Sequence, residues 1–454
     1  MTATDCTLDV ARLPATATAV PVDDSRRVSI LLGALFGLAG MGSSSAAVAL
    51  PILGPDLGVS SGIAAWTISL YVLMLAVTTA VYGRISDLVG TRLPLLAGLV
   101  LMSVGAMVAA LAPSFGVLLG ARVLQGAGAA AVPTLGVAIL SQRYHGSVRG
   151  LAFGRLAGTA AAISCLGPLA GGAVEGLLGW RAVMALPILG MAVVPFLWRA
   201  LTDEGSGATL DVLGALLVAL TAAGMVLLVQ SPSAGLVVAV VGAGLLVLGV
   251  PAVTVSVRRR PHGFLPLSVV RNALVVRSAI AAAAVPASWF ALLIAMPAVL
   301  LDHGWEAWQV GLAMLPSGIV ALAVPRVAGP LLGRIGSGRS LATAAVVASV
   351  ALLVASLGAH WVNAPLLVVA IVLVTFAFGL GQPALSAAVG DAVEPDVRGV
   401  ALGVATLLFL VGGSIGSAVV AGLSGTLGLG GAVAALAVLP VLGLLVLAPT
   451  LRRA

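Results

Sequence analysis

From Val28 almost to its end the chain is a succession of apolar runs cut by short polar segments. Most runs are about 20 residues long and nearly free of charge, the length a helix needs to cross a hydrocarbon core. They predict helices at 28–53, 62–82, 94–112, 115–140, 151–174, 180–198, 212–230, 234–256, 276–300, 308–331, 341–358, 364–388, 398–423 and 430–449, fourteen in all. Residues 1–27 are polar, carry Pro14, Pro21 and the acidic pair Asp23–Asp24, and read as a disordered cytoplasmic tail. The run that follows is too long for a signal-peptide core and reads as an uncleaved first span. The predicted class is an all-α polytopic membrane protein. A six-helix bundle fills 28–198, a linker at 199–257 holds two extra central helices, a second six-helix bundle fills 258–449, and 450–454 is a cytoplasmic tail.

Composition narrows the class. Of 454 residues, 61% are hydrophobic and 8% charged, against roughly 25% charged in a soluble domain. Such a chain cannot cover a water-facing surface, which excludes a soluble enzyme, a nucleic-acid binder and a disordered scaffold. The net charge of +7 comes from 22 basic residues, all of them Arg. Their placement is topogenic. Segments assigned inside hold Arg26, Arg27, Arg84, Arg92, Arg143, Arg149, Arg199, Arg258–Arg260, Arg271, Arg334, Arg339, Arg398, Arg452 and Arg453. Segments assigned outside hold only Arg181, with Asp56, Glu175, Asp302 and Glu306. The asymmetry follows the positive-inside rule and implies an even count with both termini cytoplasmic. Trp66, Trp180, Trp305, Trp308 and Trp361 fall near outer ends, as an aromatic belt should. Cys6 and Cys165 are too few for a disulfide framework or a metal site. Without Lys there is no phosphate-cradling loop of the Gly-Lys type.

A weak repeat links the two halves. Gly83-Arg-Ile-Ser-Asp87-Leu-Val-Gly90 follows the second run, and Gly329-Pro-Leu-Leu-Gly-Arg334-Ile-Gly336 follows the tenth. Gly-rich stretches recur at Gly167, Gly171 and Gly172 and at Gly412, Gly413 and Gly416. Repeats of this kind build transporters from two bundles around a central site.

Four segments in order carry a family resemblance. Gly83 to Arg92 resembles the loop motif between spans 2 and 3 of the major facilitator superfamily. Arg122-Val-Leu-Gln125-Gly126-Ala-Gly128 resembles its motif in span 4, and Gly167-Pro168-Leu-Ala-Gly171-Gly172 the span 5 motif of its antiporters. Ala49-Leu50-Pro51 and Trp66-Thr-Ile-Ser-Leu-Tyr71 resemble the first two spans of the fourteen-span drug:proton antiporters, the EmrB/QacA type. The resemblance implies a major facilitator fold, no cofactor, no covalent chemistry, and a monomer in the lipid bilayer. It implies export of a small-molecule substrate, a drug or secondary metabolite, against protons by alternating access.

Each motif has two physical readings. Gly83 and Gly90 permit tight turns, and Asp87 with Arg92 is either the conformational latch that the resemblance implies or part of a merely topogenic turn. Leu88 stands where the motif usually has a basic residue. Arg122 lies about seven residues inside its span, where a charge is costly and by default functional; Gln125 shares its face. The resemblance gives Arg122 a part in proton coupling, and an anion-attracting role is equally open. The alternative is a structural Arg bonded to carbonyls of span 1. Gly167, Gly171 and Gly172 permit close helix approach and Pro168 a kink, either at a moving seam or in static packing. Many fourteen-span relatives carry an acid in span 1, where this chain has Gly42. No carboxylate falls at mid-membrane depth, so a neutral or anionic organic substrate fits better than a cation. Glu175 is the candidate proton carrier, against a solvated interfacial acid. Depth alone nominates Phe36, Tyr71, Trp289 and Gln382 for the substrate cavity, against ordinary packing. Import, a membrane-embedded lipid enzyme and a non-transporting sensor are the competing readings; His145, His262, His303 and His360 lie in separate loops, which disfavours the enzyme.

Overall fold

The computed structural model describes residues 22–144, 146–201, 211–260, 267–393 and 395–451. All regular structure among them is helical, with no strand. Eleven stretches are long and apolar enough to cross a membrane. Fourteen were expected, and the difference has identifiable sources. Ala307–His360 is 54 residues long, about 80 Å as a straight helix and far beyond a ~30 Å hydrocarbon core. It is broken at Gly336, where φ is 80 and ψ 167. Pro395–Leu436 is likewise broken at Gly428. Val212–Ala234 is helical throughout, but its described apolar segment is the shorter Leu216–Leu228.

The first helix, Val22–Asp56, begins six residues before the expected end of the tail. Asp24 sits in its first turn, where the helix dipole favours an acid, and pairs with Arg143 at 2.6 Å. Residues 1–21 and 452–454, the rest of the expected tails, lie outside the described residues. At the helix's other end Asp56 accepts from Trp180 Nε1 at 2.8 Å and from Arg181 at 3.0 Å. The start of the first helix therefore meets the end of Ala131–Arg143, and its end meets the turn after Gly146–Leu178.

The repeat is written into backbone conformation. Gly58, Gly90 and Gly179 in the first half, and Gly304, Gly336 and Gly428 in the second, all adopt positive φ between 69 and 84. Only glycine takes this conformation freely. One constant interval carries Pro51, Asp56, Gly58, Gly83 and Gly90 onto Pro297, Asp302, Gly304, Gly329 and Gly336.

Each half contains a corresponding pair of helices in backbone-close contact. Val22–Asp56 lies on Gly146–Leu178 through Gly33, Gly37 and Gly40, whose missing side chains make room for Leu156, Ile163 and Ser164. Ala273–Asp302 lies on Pro395–Leu436, where side chains on Gly412 and Gly416 would collide with the carbonyls of Ala283 and Ala287. These are corresponding pairs in the two halves.

Between the halves Val212–Ala234 and Leu236–Arg259 form a hairpin. Gly235 turns it with φ 93, and Arg260 and Asp211 pair at 2.9 Å at its base. Val226 of the first helix of this hairpin packs with Leu73 and Val77 of one half and Leu407 and Val411 of the other. The hairpin thus straddles the seam, while its other helix leaves Val237, Val247 and Leu248 exposed to the surroundings.

Gly416→Val should lower the unfolding temperature of the detergent-solubilised protein by several degrees, because the new side chain meets backbone. Gly154→Ala, in a helix with nothing within contact range, should leave it unchanged or raise stability by up to ~1 kcal/mol. Equal behaviour of the two variants would remove the glycine seam as a packing constraint.

Candidate functional site

Arg122 and Gln125 lie one turn apart on Phe115–Ala129 and are both fully buried, at 0% exposure. Arg122 Nε donates to Thr67 O at 2.8 Å, Nη2 to Gly42 O at 2.7 Å and Nη1 to Gln125 Oε1 at 2.5 Å. Its guanidinium lies over the Tyr71 ring, 4.4 Å from the centroid, a geometry that stabilises a cation. The Tyr71 hydroxyl in turn donates to Ala39 O at 2.6 Å. Gly42 makes this nest possible, since a side chain there would crowd the Tyr71 hydroxyl. Arg122 thus ties three helices of the first half together through backbone carbonyls and one amide, and none of these partners is a carboxylate. One of the carbonyls, Gly42 O, belongs to span 1 as the structural alternative expects, and the other, Thr67 O, to span 2.

A separate small cavity of about 10 Å³ lies between the halves. Ser44 of the first helix and Ser164 and Pro168 of Gly146–Leu178 line one side; Trp289, Met314 and Ser317 line the other. Leu293 and Ile371 complete it, so no charged side chain lines the space. A space of this size holds about one water molecule, so no organic ligand fits it in the arrangement seen here. Ser44 Oγ donates to Ser164 O at 2.8 Å and Ser317 Oγ to Met314 O at 2.6 Å. Trp289 stands edge-to-face on Phe290 at 4.9 Å and tilted against Phe378 at 5.3 Å.

The antiporter-type segment forms the wall beside this cavity. Gly167 faces Ser44 and Gly171 faces Ser45, so one edge of the segment lies on the first helix. Gly172 faces the backbone of Ala307, and Gly311 faces Pro168 and Leu169, so the other edge lies on the second half. The halves also meet at Ser69 and Ser417, whose hydroxyls are 2.7 Å apart and buried. Glu175 lies one turn beyond Gly172, half-buried and away from the cavity lining.

The remaining expected residues are dispersed. Gly90 ends Trp66–Val89 with φ 79, its N–H donating to Ser86 O. Arg92 Nη2 donates to Leu201 O at 3.2 Å, and its guanidinium lies over Trp198 at 4.9 Å. Gly83 is on the same helix as Asp87, and the side-chain surroundings of both positions lie outside the described residues. Of the four residues nominated for the cavity only Trp289 lines it. Tyr71 is covered by Arg122, and Phe36 packs on the core of the first half. Gln382 is eleven positions along Ala364–Ala392 from Ile371, a rise of about 16 Å. The serines were missed. Ser44 alone had a signal, the polar cluster Ser43–Ser45 within an apolar run; nothing in the sequence marks Ser164 or Ser317.

The chain matches the Major Facilitator Superfamily over residues 32–417. The chain belongs to this superfamily. Among facilitators it is similar to the MFS-type transporter YvkA of Bacillus subtilis (strain 168), 26% identical over 88% of this chain and 90% of that one. It is 32% identical to the efflux pump dotC of Dothistroma septosporum over 36% of this chain, a match spanning 29% of the pump's own length. A crystal structure of a POT family transporter in complex with 5-aminolevulinic acid shares the fold. Its TM-score is 0.69 at 15% identity, over 93% of this chain and 95% of that chain. Fold and relatives together indicate a membrane transporter with a facilitator's helical architecture.

Two outcomes follow from this facilitator's geometry. Arg122→Ala deletes bonds to three helices, at roughly 1.5–3 kcal/mol for each charged hydrogen bond. It should lower the unfolding temperature even without substrate; an unchanged temperature would show that the nest is not structural. With Cys6 and Cys165 replaced by serine, S69C/S417C should cross-link on mild oxidation and stop transport until reduced. Free transport by the cross-linked protein would show that the Ser69–Ser417 contact never parts.

Proposed function

We propose that the chain is a secondary active transporter of the cytoplasmic membrane, exporting a small organic compound by alternating access with proton antiport. The observation that carries the reading is the cavity lined from both halves with no charged residue among its described lining, with the Gly167–Gly172 segment beside it where the halves meet. A contact made of glycine backbone can part and re-form without rearranging side chains, which suits a seam that opens in each cycle. The efflux pump among the relatives supports export, although only part of that pump is matched.

We further propose fourteen spans of the EmrB/QacA type, with both termini cytoplasmic. The breaks at Gly336 and Gly428 divide the two overlong stretches, and Val212–Ala234 supplies the remaining pass. The arginine asymmetry supports the orientation. No carboxylate lines the cavity, so the proposed proton carrier is Glu175, beyond the seam on the same helix. Substrate and proton would then compete through the seam and not for one atom.

The test begins with a deletion strain screened for chemical hypersensitivity. Everted vesicles should then accumulate the identified compound when acidified inside, and lose the uptake when the gradient is collapsed. Accumulation by right-side-out vesicles instead would establish import. Glu175→Gln should retain compound binding and lose compound-driven proton movement; intact proton movement would remove Glu175 from the mechanism.

A further inference from the structure

The lining of the central cavity carries information about its ligand that neither the family nor the relatives supply; the inference rests on the proposed transport role of that cavity. Three features define the site. The first is charge. No ionic side chain lines it, and Arg122, the deeply buried cation of the first half, has each guanidinium nitrogen engaged and no exposure. A charged ligand entering this space would lose its hydration and find no counter-ion.

The second feature is the direction of the hydroxyls. A serine hydroxyl has one hydrogen and two lone pairs. Ser44 and Ser317 each direct that hydrogen to a backbone carbonyl, at 2.8 and 2.6 Å. Ser164 directs its own to Gly37 O in a longer contact of 3.3 Å. Ser44 Oγ and Ser164 Oγ sit in the gaps left by Gly167 and Gly40 in the contact between their two helices, so the oxygen left to offer its lone pairs to an occupant is that of Ser317. The complementary ligand group is a donor, a hydroxyl above all.

The third feature is the indole of Trp289. Phe290 and Phe378 hold its ring from two sides, so it is a fixed apolar plate and not a mobile side chain. Its Nε1–H reaches Thr375 Oγ1 only at 3.4 Å, a long bond that a ligand oxygen can replace. An aromatic ligand gains from stacking on such a plate.

We propose that the cavity selects uncharged aromatic compounds bearing hydroxyl groups. Trp289 is the stacking surface, and the oxygen of Ser317 receives a hydroxyl hydrogen of a ligand admitted when the halves part. Cationic lipophilic compounds, which a span 1 acid would favour, are poor ligands of this chain.

The test uses one aromatic skeleton in four forms: trihydroxystilbene, its trimethyl ether, a stilbene carboxylate and a stilbene trimethylammonium. Binding to the full detergent-solubilised chain is measured by equilibrium dialysis at neutral pH. The trihydroxy compound should bind roughly tenfold more tightly than the ether, and both ions more weakly than the ether. Trp289→Leu should weaken the trihydroxy compound about tenfold, while Trp361→Leu, at an exposed turn, should not. Ser317→Ala, a smaller change, should narrow the gap between the hydroxylated compound and its ether and leave the ether's affinity alone. Absence of trihydroxystilbene binding to the folded chain, equal or tighter binding of either ion, or indifference to both cavity substitutions would each overturn the inference. Equilibrium binding is independent of direction and coupling. A chain that ranks the stilbenes as stated but exports none would overturn the export reading alone. A chain that exports a cationic dye and ignores the stilbenes would overturn the selectivity alone.

Discussion

Backbone-close contact between helices, made where glycines leave room, runs through both halves of this molecule. Lipid tails are as apolar as leucine, so helices in a bilayer gain nothing from simply hiding apolar side chains from the solvent; they associate where small residues let backbones approach. In the first half Gly33, Gly37 and Gly40 begin the contact from the first helix, and Gly167 and Gly171 continue it from its partner. In the second half Gly412 and Gly416, on the later helix of the pair, make the corresponding contact against Ala283 and Ala287. The later helix supplies a glycine pair at the same four-residue spacing in both halves, Gly167 and Gly171 in one and Gly412 and Gly416 in the other, and the first half adds Gly33, Gly37 and Gly40 from the earlier helix.

The seam between the halves continues from the first of these contacts. Gly167 and Gly171 belong to the static pair, whereas Gly172, one position on, faces Ala307 of the other half. One six-residue motif therefore serves both as internal packing and as the boundary across which the halves meet. The cavity opens beside it because Ser44, which fills the space left by Gly167, is itself a lining residue. Packing and binding surface are in this way the same few atoms.

The all-helical, membrane-spanning character was legible in the sequence because hydrophobic run length is a direct consequence of bilayer thickness, although eleven spanning stretches stand among the described residues where fourteen were expected. Helix ends were less so: Asp23 and Asp24 looked like tail, yet Asp24 starts a helix by pairing with Arg143, a partner far along the chain. Arg122 was legible as buried, but its engagement by Gly42, Thr67 and Tyr71 depends on three helices meeting, which no local pattern states. The cavity was least legible. Trp289 stood out by size, while Ser44, Ser164 and Ser317 are ordinary residues made special by facing one another across the halves. Tyr71 and Phe36, conspicuous in the sequence, are spent on packing.

The cavity as a site reached in turn from each side of the membrane is tested most directly by labelling Ser317→Cys in a chain otherwise free of cysteine. Ser317 is nearly buried, with 4% exposure, so a membrane-impermeant maleimide reaches it only when the halves part. During turnover the reagent should react from either face of the membrane, and less from both when the exported compound is present. Reaction from one face only, or none from either during active transport, would contradict alternating access through this cavity.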